Sequence, residues 1–252
     1  GTLKLSRGLT GTWSAVGETS SDQFGSSVAS AGDVNGDGYM DVIVGAASAP
    51  GAANNETGEA YVYYGSATGL VSSAVWNVNG EAENDYFGSS VATAGDVNGD
   101  GYDDVIVGAW GYGNPGQTGK AYVYHGSASG LSTSPDWSDD THYDYFGYTV
   151  ASAGDVNGDG YADVIVGAHG HDGNGVQAGE AHVYHGSASG LSTTPDWSEE
   201  GEDYGVEFGK RVASAGDVNG DGYADVVIGA WPFGNTDLNP NGKAYVYHGS
   251  SS

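Results

Sequence analysis

Acidic and amide side chains recur in four loops with the pattern D-x-N-x-D-G-x-x-D. In the first loop, oxygen atoms at positions 1, 3, 5 and 9 come from Asp33, Asn35, Asp37 and Asp41, and the backbone carbonyl of Tyr39 supplies position 7. Calcium takes about six to eight such oxygen ligands, and the glycine at position 6 permits the sharp turn that folds a loop around the ion. The pattern therefore predicts a calcium site.

The same ligands stand in each of the four loops, so the sequence predicts four calcium ions per chain. A metal-free turn is disfavoured because three carboxylates within nine residues repel one another unless a cation neutralises them. Magnesium suits the loops less well, since it dehydrates reluctantly and takes fewer protein ligands. An EF-hand would close with Glu at position 12 between two helices, whereas here Asp closes the loop and a strand pattern follows. The other predicted ligands are Asp96, Asn98, Asp100, Tyr102 and Asp104; Asp155, Asn157, Asp159, Tyr161 and Asp163; and Asp217, Asn219, Asp221, Tyr223 and Asp225.

The composition excludes several other classes of function. The 252 residues include 6 Lys+Arg and 33 Asp+Glu, for a net charge of −27. This charge argues against nucleic acid and against docking on anionic lipid as partners. The chain has no Cys, which excludes disulfides, thiol nucleophiles and thiolate metal sites. No apolar run approaches the roughly 18 residues of a membrane span, so no membrane insertion is expected.

The calcium loops belong to a longer repeat. Each loop follows a Phe-Gly pair and precedes a D-V-[IV]-[VI]-G-A segment, a second β-type segment and, in the first three copies, a Gly-Leu to Trp segment. Each repeat thus reads as four short strands that are apolar on both faces. Radial repetition of such sheets predicts an all-β fold, a β-propeller of four-stranded antiparallel blades. The predicted single domain covers 1–252, with repeats at about 15–76, 77–137, 138–197 and 198–252 plus 1–14.

The two ends of the chain are complementary in this repeat. Residues 4–14 resemble the fourth-strand segment at 189–198, whereas the last repeat ends after its third strand. We therefore expect the N-terminal strand to complete the last blade and remove an exposed sheet edge. Completion in cis gives a four-bladed ring, and completion in trans gives an eight-bladed ring of two chains. The segment could also belong to a preceding blade of a larger disc.

Phe-Gly, DVNGDGYxD and Gly-Ala together resemble the FG-GAP repeat of the integrin α-subunit propeller and its bacterial and fungal relatives. The resemblance implies a propeller with calcium loops on one face, and with the connections between strands two and three and from strand four to the next blade on the opposite face. Two features depart from that family. The Pro of Gly-Ala-Pro is replaced by Ala47, Trp110, His169 and Trp231, and the family's propellers usually have seven blades. Because the family's blades suit narrow wedges, the departure in number favours a homodimer with eight blades.

The resemblance places the connections between strands two and three on the face opposite the calcium loops. In three repeats these connections carry aromatic or imidazole rings among Gly, Asn and Asp, a composition that suits sugar or peptide recognition. The alternative is that the rings only cap the blade junctions. The His-x-His pair could also hold a transition metal, although a solvated loop is the favoured explanation of an isolated pair. The candidate ligand residues are Trp110, Tyr112, His169, His171, Trp231 and Phe233.

These observations predict a calcium-stabilised extracellular or cell-surface module for binding, adhesion or scaffolding, with an unidentified protein or glycan as partner. The alternative is a calcium-dependent lectin that recognises glycans on the loop face. An enzyme is disfavoured because the sequence has no Cys, no G-x-S-x-G and no phosphate loop. Its paired carboxylates are assigned to calcium or lie in solvated loops.

Overall fold

The computed structural model describes residues 13–19, 21–50, 56–113, 118–142, 144–172, 177–202, 205–231 and 241–251. Within these ranges the regular structure is all-β. None of the described residues forms a helix long and apolar enough to cross a bilayer. The strands are β1 (Phe24–Gly32), β2 (Asp41–Ala46), β3 (Glu59–Tyr63), β4 (Trp76–Asn79), β5 (Ser90–Gly95), β6 (Asp104–Ala109), β7 (Lys120–Tyr124), β8 (Trp137–Asp139), β9 (Thr149–Gly154), β10 (Asp163–Ala168), β11 (Glu180–Tyr184), β12 (Trp197–Glu200), β13 (Phe208–Gly216), β14 (Asp225–Ala230) and β15 (Lys243–Tyr247).

The strands form four antiparallel sheets in chain order, each a simple meander. We name them blade 1 (β1–β4), blade 2 (β5–β8), blade 3 (β9–β12) and blade 4 (β13–β15). The prediction of an all-β propeller built from four-stranded antiparallel blades is confirmed, with three described strands in the last blade. The strand predicted to complete that blade falls on residues 4–14, of which only Trp13 and Ser14 lie within the described residues.

The hydrophobic core lies between successive blades. One cluster joins blades 1 and 2, a second joins blades 2 and 3, and a third joins blades 3 and 4. The second strand of each blade (β2, β6, β10 and β14) is largely buried, which explains its run of β-branched residues. Its isoleucine is fully buried in every blade, at Ile43, Ile106, Ile165 and Ile228.

The Phe-Gly and Gly-Ala pairs of the repeat meet across each blade junction. A Cβ placed on Gly45 of blade 1 would lie 1.9 Å from the carbonyl oxygen of Gly88 in blade 2. The equivalent distances are 2.0 Å from Gly108 to Gly147 and from Gly167 to Gly209. Any side chain at these glycines would force the backbones apart, so the repeat's glycines set how closely neighbouring blades approach.

A tryptophan at the start of each outer strand fastens that strand to the next blade. The indole nitrogen of Trp76 donates to the carbonyl of Ser132 at 2.7 Å, and its ring meets Tyr124 edge to face at 5.1 Å. Trp137 repeats both contacts with Ser192 and Tyr184. Trp76 and Trp137 thus pack between neighbouring blades.

Replacing Trp76 by Phe is expected to lower the free energy of unfolding by about 1–3 kcal/mol, because the carbonyl of Ser132 loses its donor in a largely buried place. The matched control is Trp197→Phe. Trp197 keeps the ring contact, with Tyr247 at 4.8 Å, but no hydrogen bond from its indole nitrogen is seen in the described part of the chain. Chemical denaturation of both variants tests this, and equal losses would contradict the assigned role of the hydrogen bond.

The outward faces of blades 1 and 4 are open. Val28 in β1 is 65% exposed, whereas its counterparts Val91 and Val150 are 5% exposed. At the other end Val218 is 56% exposed, whereas Val34 and Val97 are fully buried. These valines pack against a neighbouring blade wherever one is present. The described residues of one chain therefore form a series of blades with two unpartnered faces.

Candidate functional site

Each predicted calcium loop connects the first two strands of a blade. In blade 1 the β1–β2 pairing shifts between Ser30 and Gly32, and Gly32 takes a φ of 83°. Such a bulge turns the chain out of the ladder just before the first ligand, Asp33. Equivalent shifts precede the loops of the other three blades. Gly32 and its equivalents thus set the direction in which each loop leaves the sheet, a role that the sequence alone did not reveal.

Backbone amides gather the ligand side chains within the loop. The amide of Asp37 donates to Asp33 Oδ1 at 3.0 Å and to Asn35 Oδ1 at 2.9 Å, so these two oxygens converge on one N–H. Gly38, at a φ of 89°, donates to Asp33 Oδ2 at 2.9 Å. The amide of Tyr39 donates to Asp37 Oδ1 at 2.9 Å. Oxygen atoms of positions 1, 3 and 5 are therefore held together by the turn itself.

The four loops share this arrangement almost atom for atom. The position-5 amide donates to the side chains of both position 1 and position 3 in each loop, at 2.9–3.1 Å. The position-6 glycine donates to the position-1 carboxylate at 2.9 Å in all four. This regularity follows from the sequence, because the interactions are local and the loop residues are the same.

The aspartate at position 9 lies deeper than the other ligands. Asp41 is fully buried, accepts the amide of Val34 at 3.1 Å through Oδ2 and accepts the amide of Gly65 at 2.8 Å through Oδ1. A carboxylate oxygen has two lone pairs, so each oxygen can hold an N–H and still contact a cation. Position 9 thereby ties the loop to the turn that follows the third strand.

Burial raises the pKa of the position-9 carboxyl in blade 2, Asp104, to about 7, against the opposing effect of two backbone hydrogen bonds. The nearby carboxylates of Asp100 and Asp96 raise it further. A cation placed among these groups would stabilise the ionised form of all three. The donor set of oxygen atoms alone, with excess negative charge, fits calcium, and Asp104 and its equivalents would complete the ligand shell.

The tyrosine at position 7 links one loop to the next. The ring of Tyr102 covers Gly36 so closely that a Cβ there would lie 2.6 Å from Tyr102 Cε1. Tyr161 covers Gly99 in the same way, at 2.5 Å. Neighbouring loops are therefore in contact across the blade junctions, and the folded conformation of one loop stabilises that of the next.

At the end of the blades opposite the loops, aromatic and imidazole rings from neighbouring blades form a stack. Trp110 lies parallel to Tyr86, with centroids 4.5 Å apart and planes 6° apart, and it meets Tyr145 at 5.6 Å. His169 stacks on Tyr145 at 5.1 Å and contacts Tyr148 at 4.1 Å. Burial lowers the pKa of His169 to about 4, so this imidazole is neutral near pH 7.

The structure does not bring all the candidate ligand residues together. Tyr112 lies beneath the ammonium group of Lys120, 4.6 Å from the ring centroid, and packs on the core of blades 1 and 2. His171 turns away from His169, toward Glu180 at 3.5 Å. Trp231 is 68% exposed, and Phe233 lies outside the described residues. Of the candidates within the described residues, only Trp110 and His169 contact the same rings, those of Tyr145 and Tyr148.

A cavity of about 330 Å³ opens beside this ring stack. All four blades contribute to its wall, through Gln23, Trp110, Tyr148 and Arg211 among others. The guanidinium of Arg211 lies 5.7 Å from the centroid of the Tyr148 ring. A concave surface with aromatic walls and one cation can bind a small polar group or a side chain of a larger ligand.

Sequence reasoning missed the tyrosines and the arginine of this site. Tyr86 and Tyr145 stand directly before a Phe-Gly pair, and Tyr148 and Arg211 stand shortly after one. These positions vary from repeat to repeat within an otherwise regular pattern. Variation next to a repeated motif is therefore the signal that could have identified them.

Comparison with known proteins agrees with this architecture. A model of the FG-GAP repeat matches residues 24–63, 87–124, 146–184 and 208–247. The chain is 34% identical over 233 residues to Integrin alpha pat-2 of Caenorhabditis elegans, which is 85% of this chain and 18% of that protein. It is also 34% identical over 190 residues to Integrin alpha-5 of Xenopus laevis, which is 71% of this chain and 18% of that protein. The chain thus spans less than a fifth of the length of these relatives. Since the four matched segments cover more than half of its residues and coincide with the four blades, the chain belongs to the FG-GAP repeat family.

Proposed function

We propose that the chain is a calcium-stabilised extracellular module that binds or adheres to a partner and catalyses no reaction. The observation that carries this proposal is the set of four equivalent loops, whose oxygen ligands are gathered by the same backbone donors. Extracellular calcium, at about millimolar concentration, fills even weak sites of this type. Similarity to integrin α chains supports an adhesive role for the whole.

The positions of the carboxylates and of the aromatic rings support binding rather than catalysis. The carboxylates of the loops accept backbone N–H groups and are the predicted calcium ligands. The opposite end presents Trp110, Tyr148 and Arg211 around a cavity, a combination of stacking and charge that suits recognition. A rigid frame at one end thereby supports a recognition surface at the other.

A lectin is the second candidate, favoured by the rings around the cavity. A sugar would need an accessible ring face, however, and Trp110 already presents one face to Tyr86. The ring of Trp231 is exposed, but it lies on the open side of blade 4. Its counterpart in blade 2, Trp110, packs on the following blade. We therefore rank a protein or peptide partner above a glycan.

Labelled protein applied to printed arrays of extracellular-matrix proteins and of glycans tests this function. We expect binding to matrix proteins that is present in about 1 mM calcium, abolished by EDTA, and weakened by Arg211→Ala. The control is Val75→Asp, which changes a half-exposed residue on the calcium side to the Asp found at equivalent positions 136 and 196. Glycan binding alone would replace the proposal with the lectin, and binding to neither array would overturn it.

We further propose that the two open blade faces meet in a homodimer. Every described junction between blades uses the same bonds, such as the amide of Asp103 donating to the carbonyl of Asp33 at 3.2 Å and that of Ala162 donating to Asp96 at 3.0 Å. On the open faces the equivalent groups are the amide of Met40 and the carbonyl of Asp217. Because the repeats share their sequence, blade 4 of one copy offers blade 1 of another the contacts already formed three times within the chain.

Trp13 supports completion of blade 4 by a second copy. Its ring meets Tyr63 of blade 1 at 4.8 Å, and its indole nitrogen donates to the carbonyl of Val71 at 2.9 Å. Those are the contacts that Trp76 and Trp137 make from an outer strand to the following blade. Trp13 therefore occupies the place of an outer strand in a blade before blade 1, which is where blade 4 of the second copy would lie.

A further inference from the structure

Blade 3 differs from the other blades at the end opposite its calcium loop. His182 stands in β11 where the other blades have Tyr61, Tyr122 and Tyr245. Glu180 lies two residues earlier in the same strand, so the two side chains project from the same face. His142 reaches them from the connection between β8 and β9. These three residues come from two separate parts of the chain, and His182 departs from the residue that its repeat position has in the other blades.

The three side chains have the spacing of metal ligands. One potential ligand atom from each of His142, Glu180 and His182 lies within 4.8 Å of the other two. His182 Nε2 is 3.4 Å from Glu180 Oε2. Two ligands on a tetrahedral zinc ion, each about 2.0–2.2 Å from it, are separated by about 3.4 Å. Two of the three ligands therefore already have the required separation.

His182 is buried with an unused nitrogen aimed at this cluster. The residue is 1% exposed, and its Nε2 has no hydrogen-bond partner. Its Nδ1 lies 2.8 Å from the hydroxyl of Ser198. When Nδ1 donates that hydrogen bond, the Nε2 lone pair faces the carboxylate of Glu180. A lone pair opposite a carboxylate is unfavourable unless a cation lies between them, and a buried polar atom without a partner is itself rare.

The surroundings hold the other ligands in place. His142 Nε2 is 3.1 Å from the hydroxyl of Tyr184 and 3.3 Å from Asp139 Oδ2. A carboxylate next to a histidine orients that histidine as a metal ligand. His171 Nε2 lies 3.5 Å from Glu180 Oε2 and is within reach as a fourth ligand. Glu180 and the histidines other than His182 are partly exposed, so an ion can enter from solvent.

We propose that His142, Glu180 and His182 form a second type of metal site, for a divalent transition-metal ion such as zinc, with His171 as an additional ligand. Imidazole nitrogens with one carboxylate select zinc or its neighbours over calcium, which prefers oxygen ligands alone. The site is therefore chemically distinct from the calcium loops. It would clamp the connection before β9 onto the third strand of the same blade.

Zinc titration by calorimetry in about 1 mM calcium, after removal of trace zinc with a zinc-selective chelator, tests the proposal. We expect one strong site per chain and, with cobalt in place of zinc, the visible absorption of a tetrahedral ion. His182→Tyr restores the residue of the other blades and should therefore fold. It is expected to weaken binding at least about 100-fold.

His185→Tyr is the matched control, because it removes a histidine outside the cluster and restores the residue found at Tyr64. It should leave zinc binding unchanged. Glu180→Lys, which reproduces Lys120 and Lys243, is a second test should His182→Tyr not fold. A wild-type chain that binds no zinc, or variants of the cluster that bind as the wild type does, would overturn the site without affecting the proposed adhesive function.

Discussion

Removal of calcium with a chelator is expected to lower the melting temperature of the chain by about 20 °C or more. A ligand that binds only the folded state stabilises it by about 2.7 kcal/mol when its free concentration is about 100 times its Kd. With four such sites the summed effect is about 11 kcal/mol. Each kcal/mol shifts the melting temperature of a chain of this size by about 2–4 °C.

The expected decrease in melting temperature is large because each loop contacts buried parts of its own blade and a neighbouring loop. Position 9 of each loop is fully buried and binds the turn after the third strand, as Asp41 does with Gly65. Position 7 packs on the preceding loop, as Tyr102 does on Gly36. Without a cation, the repulsion among three carboxylates therefore acts on the hairpin, on the blade and on the junction with the next blade.

Calorimetry and melting with and without a chelator measure the effect, and metal analysis counts the ions. Asp37→Ala is expected to reduce calcium from four equivalents to three, because its carboxylate supplies position 5 of the first loop. The control is Glu83→Ala, which removes an exposed carboxylate outside the loops. A melting temperature that excess chelator leaves unchanged would contradict structural calcium, and loss of an ion from Glu83→Ala would contradict the ligand assignment.

The conformation of the four loops and the blades could be predicted because their determinants are local. Nine consecutive residues contain the donors and acceptors that shape a loop, as the bonds among Asp33, Asn35 and Asp37 show. The β-branched central strands predict sheets covered on both faces, and Ile43 and Ile106 are fully buried as expected. Four copies of one pattern also constrain each other, since an interpretation must fit all of them.

The ring stack and cavity at the end opposite the loops could not be predicted to the same extent, because their residues meet only when blades pack. Tyr112 and His171 share a motif position in their repeats, yet one lies under Lys120 and the other faces Glu180. The stack of Trp110 on Tyr86 joins a connection within blade 2 to the connection between blades 1 and 2, and the contact of Trp110 with Tyr145 reaches the connection between blades 2 and 3. Sequence spacing alone contains no information on such distances.

The cluster of His142, Glu180 and His182 also could not be predicted from residue spacing, although one of its residues departs visibly from the repeat. Its members are separated along the chain, so no spacing rule for metal ligands identifies them. His182 nevertheless replaces a tyrosine that is constant in the other three blades, a departure that the sequence analysis did not interpret. In a repeat protein, a single departure from a constant position is a useful indicator of a site, because packing alone would be satisfied by the repeated residue.

Light scattering in about 1 mM calcium is expected to give a mass of about 51 kDa, twice the 25.5 kDa of one chain. Eight blades around an axis need wedges of about 45° each, within the range of four to eight blades that propellers adopt. Two copies joined by two identical junctions form a closed two-fold ring, whereas a junction that failed to close would produce longer, heterogeneous assemblies.

A charge on the open face should separate the two copies without unfolding either one. Val28→Asp places a carboxylate at a residue that is 65% exposed in the single chain, so the fold of the chain tolerates it. In the dimer the same carboxylate would be buried at the junction with blade 4, as Val91 and Val150 are buried at the junctions within the chain, at a cost of several kcal/mol. The expected mass of this variant is therefore that of one chain.

Val75→Asp is the control for this experiment, because it adds the same charge at a residue that is 46% exposed outside the open faces. It should keep the mass of two chains. A wild-type mass of one chain would overturn the dimer and leave the open faces to further blades, and an unchanged mass for Val28→Asp would place the contact elsewhere.

If the dimer forms, the recognition surface occurs twice around one axis, and an immobilised partner would be bound with the avidity of two linked sites. Adhesion of the wild type should then exceed that of Val28→Asp even though the two share the same cavity, since only the linkage between the two sites differs.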